Sequence, residues 1–204
     1  MSENGEHPLE FLFHPRSIAV LGASLEGDFA SAGTGAMGLS YVRGFKAMGF
    51  RGAIYPVNRK ATETIAGLTA YTSLLDIPGE VDQAVFSIPS AALPKAIEDC
   101  AAKGVKSIQC FTAGFSETGD AARAAQEKEL LRLVRGAGIR LIGPNGMGIY
   151  YPRGGMSWGE YTTKESGSIA FLSQSGGLSG SIFDLADTRG LHLSKAVSYG
   201  NALD

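Results

Sequence analysis

Three glycines with a recurrent spacing are the first candidates for chemistry in this sequence. Gly33, Gly35 and Gly38 form the pattern G-x-G-x-x-G and stand where a helix is predicted to open. Glycines let the backbone approach a pyrophosphate closely, and the first N–H groups of a helix attract anions. The motif begins eleven residues after Gly22, where the first predicted strand ends. The pattern predicts a phosphate-binding loop, with a purely structural turn as the alternative.

The residues after the second predicted strand indicate which class of nucleotide ligand could bind. An NAD site usually has Asp or Glu here for the ribose hydroxyls, whereas this chain has Asn58. Arg59 and Lys60 follow, and two cations suit an additional phosphate on the ribose. NADP and coenzyme A (CoA) both carry such a phosphate, so both stay open at this point.

A second phosphate site is predicted near the end of the chain. Ser173, Ser175, Gly176 and Gly177 follow a predicted strand directly and open a helix. Two hydroxyls, several N–H groups and the positive end of a helix dipole would converge there, which is suitable for a phosphoryl group. The alternative is an ordinary helix N-cap with glycines for packing. No glycine lies two residues before either serine, so the stretch is not a nucleophile elbow.

Three other strand ends carry residues suited to a ligand. Ile88-Pro89-Ser90 is a strand stop in which Ser90 is predicted to cap the next helix. Small residues at 111–115 leave room for a thiol-bearing arm. Asn145 can bridge loops through both ends of its amide, although residues 143–145 could equally be a rigid turn.

No catalytic base or metal cluster is evident. His7, His14 and His192 stand apart from any candidate acid or nucleophile, and we interpret all three as surface or capping residues. Cys100 and Cys110 have no metal-ligand spacing and are predicted to be reduced core residues of a cytoplasmic protein. The sequence indicates binding machinery without a visible catalytic base.

Composition excludes several classes of protein. Hydrophobic residues make up 44% of the 204 residues, which is too many for a disordered chain. A net charge of −2 with no basic patch argues against nucleic-acid binding, and no apolar run reaches the roughly 18–20 residues of a membrane span. The 28 glycines, about twice the usual frequency, have no collagen-like period and must serve turns and close backbone approaches.

Strands and helices alternate along most of the chain. This alternation predicts a parallel sheet covered on both faces: a doubly wound, Rossmann-like α/β domain that binds ligands at the carboxyl ends of its strands. The predicted strands are 17–22, 53–57, 81–88, 106–112 and 139–142, and the predicted helices are 36–48, 90–103 and 120–135. Pro56 cannot donate to a strand ladder and is expected at the end of its strand. The second helix carries an apolar stripe of Leu93, Ala96, Ile97, Cys100 and Ala101.

The pattern restarts near the end of the chain. Residues 146–167 are predicted to be a connection, followed by strand 168–172, helix 176–189 and strand 195–199. One such unit cannot cover both faces of a sheet, so we expect a second domain that is cut short, unless these strands extend the first sheet. Its uncovered apolar face would favour a homo-oligomer. The expected organisation is a lead-in at 1–16, the first domain at 17–145, and the connection with the incomplete domain at 146–204.

Seven sequence blocks in this order resemble the NDP-forming acyl-CoA synthetases. That group includes the ADP-forming acetyl-CoA synthetases and is related to the α subunit of succinyl-CoA synthetase. The resemblance extends over about residues 9–204. The blocks are FHPRSIAVLGAS, GFRGAIYPVN, SLLDIPGEVDQAVFSIPS, KGVKSIQCFTAGFSETG, GIRLIGPNGMG, GSIAFLSQSGGLSG and VSYGNALD.

The resemblance implies a CoA-binding Rossmann-like domain followed by a flavodoxin-like ligase domain. By this resemblance residues 34–38 hold the CoA phosphates, Lys60 contacts CoA, residues 111–113 lie along its arm, and residues 173–177 cradle a phosphorylated histidine. The positions expected to bind the coenzyme are Gly22, Ser24, Thr34, Gly35, Ala36, Met37, Gly38, Asn58, Lys60, Pro89, Phe111, Thr112, Ala113 and Asn145.

The implied reaction converts a carboxylic acid, CoA and ATP to acyl-CoA, ADP and phosphate. It passes through an acyl phosphate and a phosphohistidine, with ATP or ADP and Mg on a separate ATP-grasp domain. No histidine of this chain matches the phosphorylated one and no ATP-grasp domain is present, so the chain is expected to be an inactive part of a longer chain or complex. The long 23–34 loop, and Gly146 in place of a cysteine frequent in the family, also depart from the pattern. The alternatives are a non-catalytic CoA- or nucleotide-sensing module and an NADP-dependent reductase.

Overall fold

The computed structural model describes residues 7–24, 33–60, 63–160 and 163–204. No helix in these ranges is both long and apolar enough to cross a membrane. The α-helices are α1 Gly33–Met48, α2 Leu93–Lys103, α3 Ala121–Gly136 and α4 Gly176–Thr188. The strands are β1 Ser17–Leu21, β2 Ala53–Val57, β3 Thr64–Ile65, β4 Leu68–Thr69, β5 Gln83–Phe86, β6 Ser107–Cys110, β7 Arg140–Ile142, β8 Gly148–Tyr150, β9 Ile169–Ser173 and β10 Leu193–Ser198.

Five strands form a parallel sheet in the order β2-β1-β5-β6-β7. The chain moves outward from β1 to β2 and then returns to the other side of β1, so the order reverses between β1 and β5. In open α/β sheets this switch point is where ligands bind, beyond the carboxyl ends of the strands. All five residues of β1 are buried, as expected for a strand covered on both faces. The predicted doubly wound parallel sheet is confirmed.

Alternate residues of the central strands enter two different hydrophobic cores. Ala84 and Phe86 of β5 pack with α2 and α3, whereas Val85 between them packs with α1. This alternation follows from the period of two in a strand and places helices on both faces of the sheet. Four residues of the apolar stripe predicted for α2, Leu93, Ala96, Ile97 and Cys100, are buried in the first core, whereas the fifth, Ala101, is exposed.

The last strands form a separate three-stranded sheet in the order β8-β10-β9. β10 runs parallel to β9 and antiparallel to β8, and α4 connects β9 to β10. In the described ranges these strands pair with one another and do not extend the five-stranded sheet. The prediction of a simple connection at 146–167 was wrong at β8. That strand has three residues, begins with glycine and finds its partner far away in the chain, so no local pattern indicates it.

The second core joins the two sheets through α1. Phe45 of α1 belongs to the same buried cluster as Tyr150 of β8 and Phe183 of α4. Trp158 stacks on Phe183 with ring centroids 4.9 Å apart, and Tyr150 lies 4.7 Å from the same ring. Aromatic pairs at these distances contribute beyond their burial, so the contact between the two sheets is well packed.

Three local predictions need correction. α1 begins at Gly33, so the glycine motif lies in its first turns instead of preceding it; residues 25–32 of the predicted loop lie outside the described part. Ser90 does not cap α2 with its hydroxyl: it starts a short 3-10 turn, and its backbone carbonyl accepts the N–H of Leu93. Pro56 lies inside β2 and not at its end, which is tolerated because β2 is an edge strand.

Candidate functional site

Two glycines bring α1 and β1 into backbone contact at the switch point. Gly22 follows β1 with a φ of +88°, in the left-handed region that favours glycine. A Cβ on Gly22 would lie 2.1 Å from the carbonyl oxygen of Ser87, and one on Gly38 would lie 2.4 Å from the carbonyl oxygen of Gly22. Only glycine allows this approach, so the turn after β1 lies directly against the first turns of α1.

The first turn of α1 supplies N–H groups at the same place. The backbone of Thr34, Gly35 and Ala36 is helical and follows directly on the start of the helix at Gly33. The first four N–H groups of a helix have no partner within it and carry the positive end of the helix dipole. The predicted phosphate-binding residues therefore lie where an anion is stabilised by backbone alone, and the half-buried Met37 continues the helix.

The loop after β2 is fixed to the loop after β1 by Asn58. Its amide nitrogen donates to the carbonyl oxygen of Ala23 at 2.7 Å, and its amide oxygen accepts the N–H of Lys60 at 2.9 Å. Ser24, next to Ala23, is buried. The side chain of Lys60 is exposed and has no ion-pair partner in the described ranges. Asn58 therefore holds the loops together, and Lys60 offers a free cation at the same edge.

The loops after β5, β6 and β7 are connected in series. The hydroxyl of Thr112 donates to the carbonyl oxygen of Ile88 at 2.6 Å, and the carbonyl oxygen of Thr112 accepts the N–H of Asn145 at 2.9 Å. Asn145 has a φ of +58°, which asparagine tolerates better than most residues. Phe111 is half-buried, whereas Pro89 and Ala113 are exposed at this edge. The fold thus gathers the predicted coenzyme residues at one edge of the sheet.

The second predicted site lies at the start of α4. The hydroxyl of Ser175 accepts the N–H of Leu178 at 3.2 Å, and the hydroxyl of the buried Ser173 accepts the N–H of Ser175 at 3.1 Å. Ser175 is thus the N-cap of α4, as the alternative interpretation expected, and Ser173 holds the turn before it. In the described part of the chain, the N–H groups of Gly176 and Gly177 have no partner. A Cβ on Gly177 would contact nothing within 4 Å, so the space beside this helix end is open.

Met147 connects the two sites. Its carbonyl oxygen accepts the hydroxyl of Tyr41 on α1 at 2.7 Å, and its N–H donates to the hydroxyl of Ser198 at 3.2 Å. A Cβ on Gly176 would lie 2.9 Å from the side chain of Met147. The helix that opens at the glycine motif and the helix that opens at Gly176 therefore share one neighbour.

The sequence analysis missed a buried polar network beneath the edge. The amide nitrogen of Gln109 donates to Gln83 at 2.7 Å, and its amide oxygen accepts the N–H of Ile149 at 2.7 Å. A Cβ on Gly148 would lie 2.0 Å from that amide oxygen. A glutamine inside each of two buried strands was the available signal, and Gln109 fixes β8 over β6.

Among the described residues, no cysteine or histidine is placed to act as a nucleophile at the carboxyl edge of the sheet. Burial raises the pKa of the Cys110 thiol to about 12, so this cysteine stays protonated at neutral pH. His14 pairs with Glu10 at 2.9 Å and His192 with Glu165 at 3.1 Å, both away from the candidate residues in the chain. In ranges 7–24, 33–60, 63–160 and 163–204, no three His, Cys, Asp or Glu side chains group as a metal site. The arrangement can bind and orient an anionic ligand.

The opposite edge of the sheet carries a charge cluster that stabilises the fold. Asp82 accepts the backbone N–H of Arg16 at 2.8 Å and the ammonium of Lys106 at 2.9 Å. Burial would raise the pKa of Asp82, but the hydrogen bonds from the Arg16 guanidinium, from Lys106 and from the Arg16 backbone outweigh it and lower the pKa to about 2. Its position at the amino end of the strands separates this cluster from the candidate site.

Two families of known domains match the sequence. Residues 16–152 match the CoA binding domain, and residues 166–204 match the succinyl-CoA ligase like flavodoxin domain. The first match extends over more than half of the chain and contains every predicted coenzyme residue. The second begins before β9 and contains the predicted phosphoryl site.

Two relatives of known activity are about one third identical to this chain in sequence. The α subunit of acetate–CoA ligase [ADP-forming] II from Pyrococcus furiosus is 36% identical over 196 residues, which are 96% of this chain and 41% of the relative. The 4-hydroxybutyrate–CoA ligase [ADP-forming] of Nitrosopumilus maritimus is 30% identical, over 93% of this chain and 26% of the relative.

A solved structure shows the same likeness. The apo form of the dinucleotide forming acetyl-coenzyme A synthetase 1 of Ca. Korarchaeum cryptofilum has a TM-score of 0.83 and 36% identity, over 96% of this chain and 41% of that one. The chain thus spans less than half the length of these relatives. It belongs to the CoA binding domain family and is similar to ADP-forming acetate–CoA ligases over nearly all of its own length.

Proposed function

We propose that this chain binds CoA at the carboxyl edge of the five-stranded sheet, as part of an ADP-forming acyl-CoA synthetase. The observation that carries the proposal is the backbone contact among Gly22, Gly38 and Ser87, which places the first turn of α1 at the switch point. The N–H groups of this first helical turn suit the pyrophosphate of CoA. NADP carries a pyrophosphate as well, and the match to the CoA binding domain supports CoA over NADP.

The chain's own residues then have distinct tasks. Lys60, a free cation after β2, would pair with the phosphate on the ribose. Asn58 holds its loop against Ala23 and keeps that cation in place. The small residues after β6 leave a path along which the thiol-bearing arm extends towards Asn145. When bound, CoA supplies the thiol that accepts the acyl group.

The start of α4 is proposed to receive a phosphoryl group. Ser173 and Ser175 hold the turn, the N–H groups of Gly176 and Gly177 have no partner among the described residues, and the space beside Gly177 is open. These features suit a tetrahedral anion at a helix start. In the relatives' activity this group would belong to a histidine outside this chain, and ATP or ADP with Mg would be held by an ATP-grasp domain in the same chain or in a second subunit.

The acid, the assembly and the compartment are finer proposals. Acetate and 4-hydroxybutyrate appear in the names of two relatives, which supports a small carboxylic acid without selecting one. Leu172, Leu178 and Leu185 are exposed on β9 and α4, and an apolar surface of this kind favours either a second subunit or a second copy of the chain. Free, buried Cys100 and Cys110 support a cytoplasmic location.

Titration calorimetry with CoA and dephospho-CoA tests the binding proposal. The chain should bind CoA more tightly, because only CoA carries the phosphate that pairs with Lys60. Lys60→Ala should remove about 1–2 kcal/mol of CoA binding, or about 5–30-fold in Kd, and leave dephospho-CoA binding nearly unchanged. Lys128→Ala removes an equally exposed lysine from α3 and should change neither Kd. Equal affinities of the wild-type chain for the two ligands would refute the role of Lys60.

A further inference from the structure

The segment after β10 lies against the turn after β7, and the two are joined by backbone hydrogen bonds. The N–H of Asn201 donates to the carbonyl oxygen of Pro144 at 2.9 Å, and the N–H of Leu203 donates to that of Gly143 at 3.1 Å. A Cβ on Gly200 would lie 2.2 Å from the carbonyl oxygen of Pro144. The end of the second sheet is therefore attached directly to the candidate coenzyme edge of the first.

The side chain of Asn201 uses both of its N–H donors in this contact. Its amide nitrogen donates to Glu117 and to the buried Glu127, each at 2.6 Å. Its amide oxygen accepts the side-chain N–H of Asn145 at 3.3 Å. Two carboxylates converge on one amide group, and only a donor at this position can satisfy both.

Glu117 extends the contact to the loop after β6. Its carboxylate accepts the backbone N–H groups of Gly114 and Phe115. Burial would raise the pKa of Glu117, but the hydrogen bonds from Asn201 and from these backbone groups outweigh it and lower the pKa. The carboxylate is therefore ionised at neutral pH and fixes the backbone at 114–115.

We propose that Asn201 is a positioning residue that holds the 111–115 loop and the 143–145 turn in the geometry that receives the thiol-bearing arm of CoA. The inference rests on the proposed function. Its contacts lie with the loops after β6 and β7, whereas the nucleotide end of CoA is assigned to the loops after β1 and β2. Loss of Asn201 should therefore weaken binding of the arm and spare binding of the nucleotide.

Asn201→Asp is the most direct perturbation. It keeps the shape of the side chain, removes both donors and places a third carboxylate beside Glu117 and Glu127. CoA binding should weaken at least about fivefold, the lower end of couplings between linked sites. Adenosine 3′,5′-bisphosphate, which has the nucleotide end without the arm, should bind as it does to the wild-type chain. Both ligands are titrated by calorimetry well below the unfolding temperature of every variant.

Three further variants make the result specific. Asn201→Asp combined with Glu127→Gln restores one donor–acceptor pair with the roles exchanged, and should recover part of the CoA affinity. Gln126→Glu adds the same charge at an exposed neighbouring position of α3 and should have no effect. Asn201→Ala removes the bonds without adding charge and gives the same selective loss if Asn201→Asp does not fold.

The outcomes separate this inference from the proposed function. A selective loss of CoA binding supports a positioning role. Unchanged CoA binding, or an equal loss of both ligands, overturns that role, because the first shows no coupling and the second a general structural defect. If the wild-type chain binds neither ligand, the proposed function fails, and the inference fails with it.

Discussion

Gly38→Ala tests whether α1 must approach the turn after β1 at backbone contact. A Cβ at this position would lie 2.4 Å from the carbonyl oxygen of Gly22 and 2.8 Å from the amide nitrogen of Ala23. Ordinary van der Waals contact begins at 3.4 Å, so the helix or the turn must move by about 1 Å. Both obstacles are backbone atoms, and no flexible side chain can yield instead.

The size of the effect follows from two opposing contributions. Forcing an extra methyl group into a packed region costs about 1–3 kcal/mol, and backbone on both sides places this case near 3 kcal/mol. Replacing glycine by alanine within a helix contributes about 1 kcal/mol in the opposite direction. We therefore expect Gly38→Ala to lower the free energy of unfolding by about 2 kcal/mol. For a chain of this size, that corresponds to a fall of about 4–8 °C in Tm.

Gly180→Ala is the matched control. Gly180 also lies within a helix, α4, but a Cβ there would contact nothing within 4 Å. The same substitution should therefore raise stability by up to about 1 kcal/mol through helix propensity alone. Urea unfolding followed by circular dichroism measures both variants, and we expect shifts of opposite sign at an unchanged slope. A Gly38→Ala variant as stable as Gly180→Ala would refute the argument from close approach.

Two further predictions concern groups away from the glycine contact. Because the pKa of Asp82 is lowered from 3.8 to about 2, its ionised form should contribute about 2 kcal/mol of stability above about pH 4, and this contribution is lost as the pH falls towards 2. The stability advantage of the wild-type chain over Asp82→Asn, measured by urea unfolding, should shrink over that interval; a constant difference would contradict the assignment. Gln109→Met leaves the buried N–H of Ile149 and the amide oxygen of Gln83 without their partner, and should cost about 2–4 kcal/mol. Hydrogen exchange at the Ile149 amide should accelerate more than at Val85, a strand residue outside this network.

The parts of the fold that depend on local pattern were predictable from the sequence. The stripe from Leu93 to Cys100 repeats every three or four residues, and it is buried as predicted because one face of a helix must cover the sheet. β8 had no such pattern, because its place is set by Ser198 and by Gln109, both distant in the chain. The start of α2 was predicted less accurately. A cap by the Ser90 hydroxyl is one of several ways in which a helix can begin, and α2 begins at Leu93 without a side-chain cap.

The candidate site likewise contains residues that the sequence could identify and residues that it could not. Gly22 could be recognised from the sequence because a strand ending in glycine leaves a left-handed turn at the edge of the sheet. The role of Asn201 could not, because its partners Glu117 and Glu127 are 84 and 74 residues earlier in the chain. No spacing rule relates positions so far apart, and only the packing of the second sheet on the first brings them together.

The two candidate sites share structural support, so their geometries cannot be set independently. The N–H of Tyr199 donates to the carbonyl oxygen of Ser173 at the start of the α4 turn, and two residues later Asn201 contacts the turn after β7. Met147 lies between Tyr41 of α1 and Ser198 of β10. A displacement of α1 at the proposed CoA phosphates must therefore move Met147 or break its bond to Tyr41. Since Gly176 leaves no gap beside Met147, that displacement would reach the N–H groups at the start of α4. Close packing of this kind transmits small shifts, so we expect coenzyme binding at the proposed CoA edge to change the geometry of the proposed phosphoryl site.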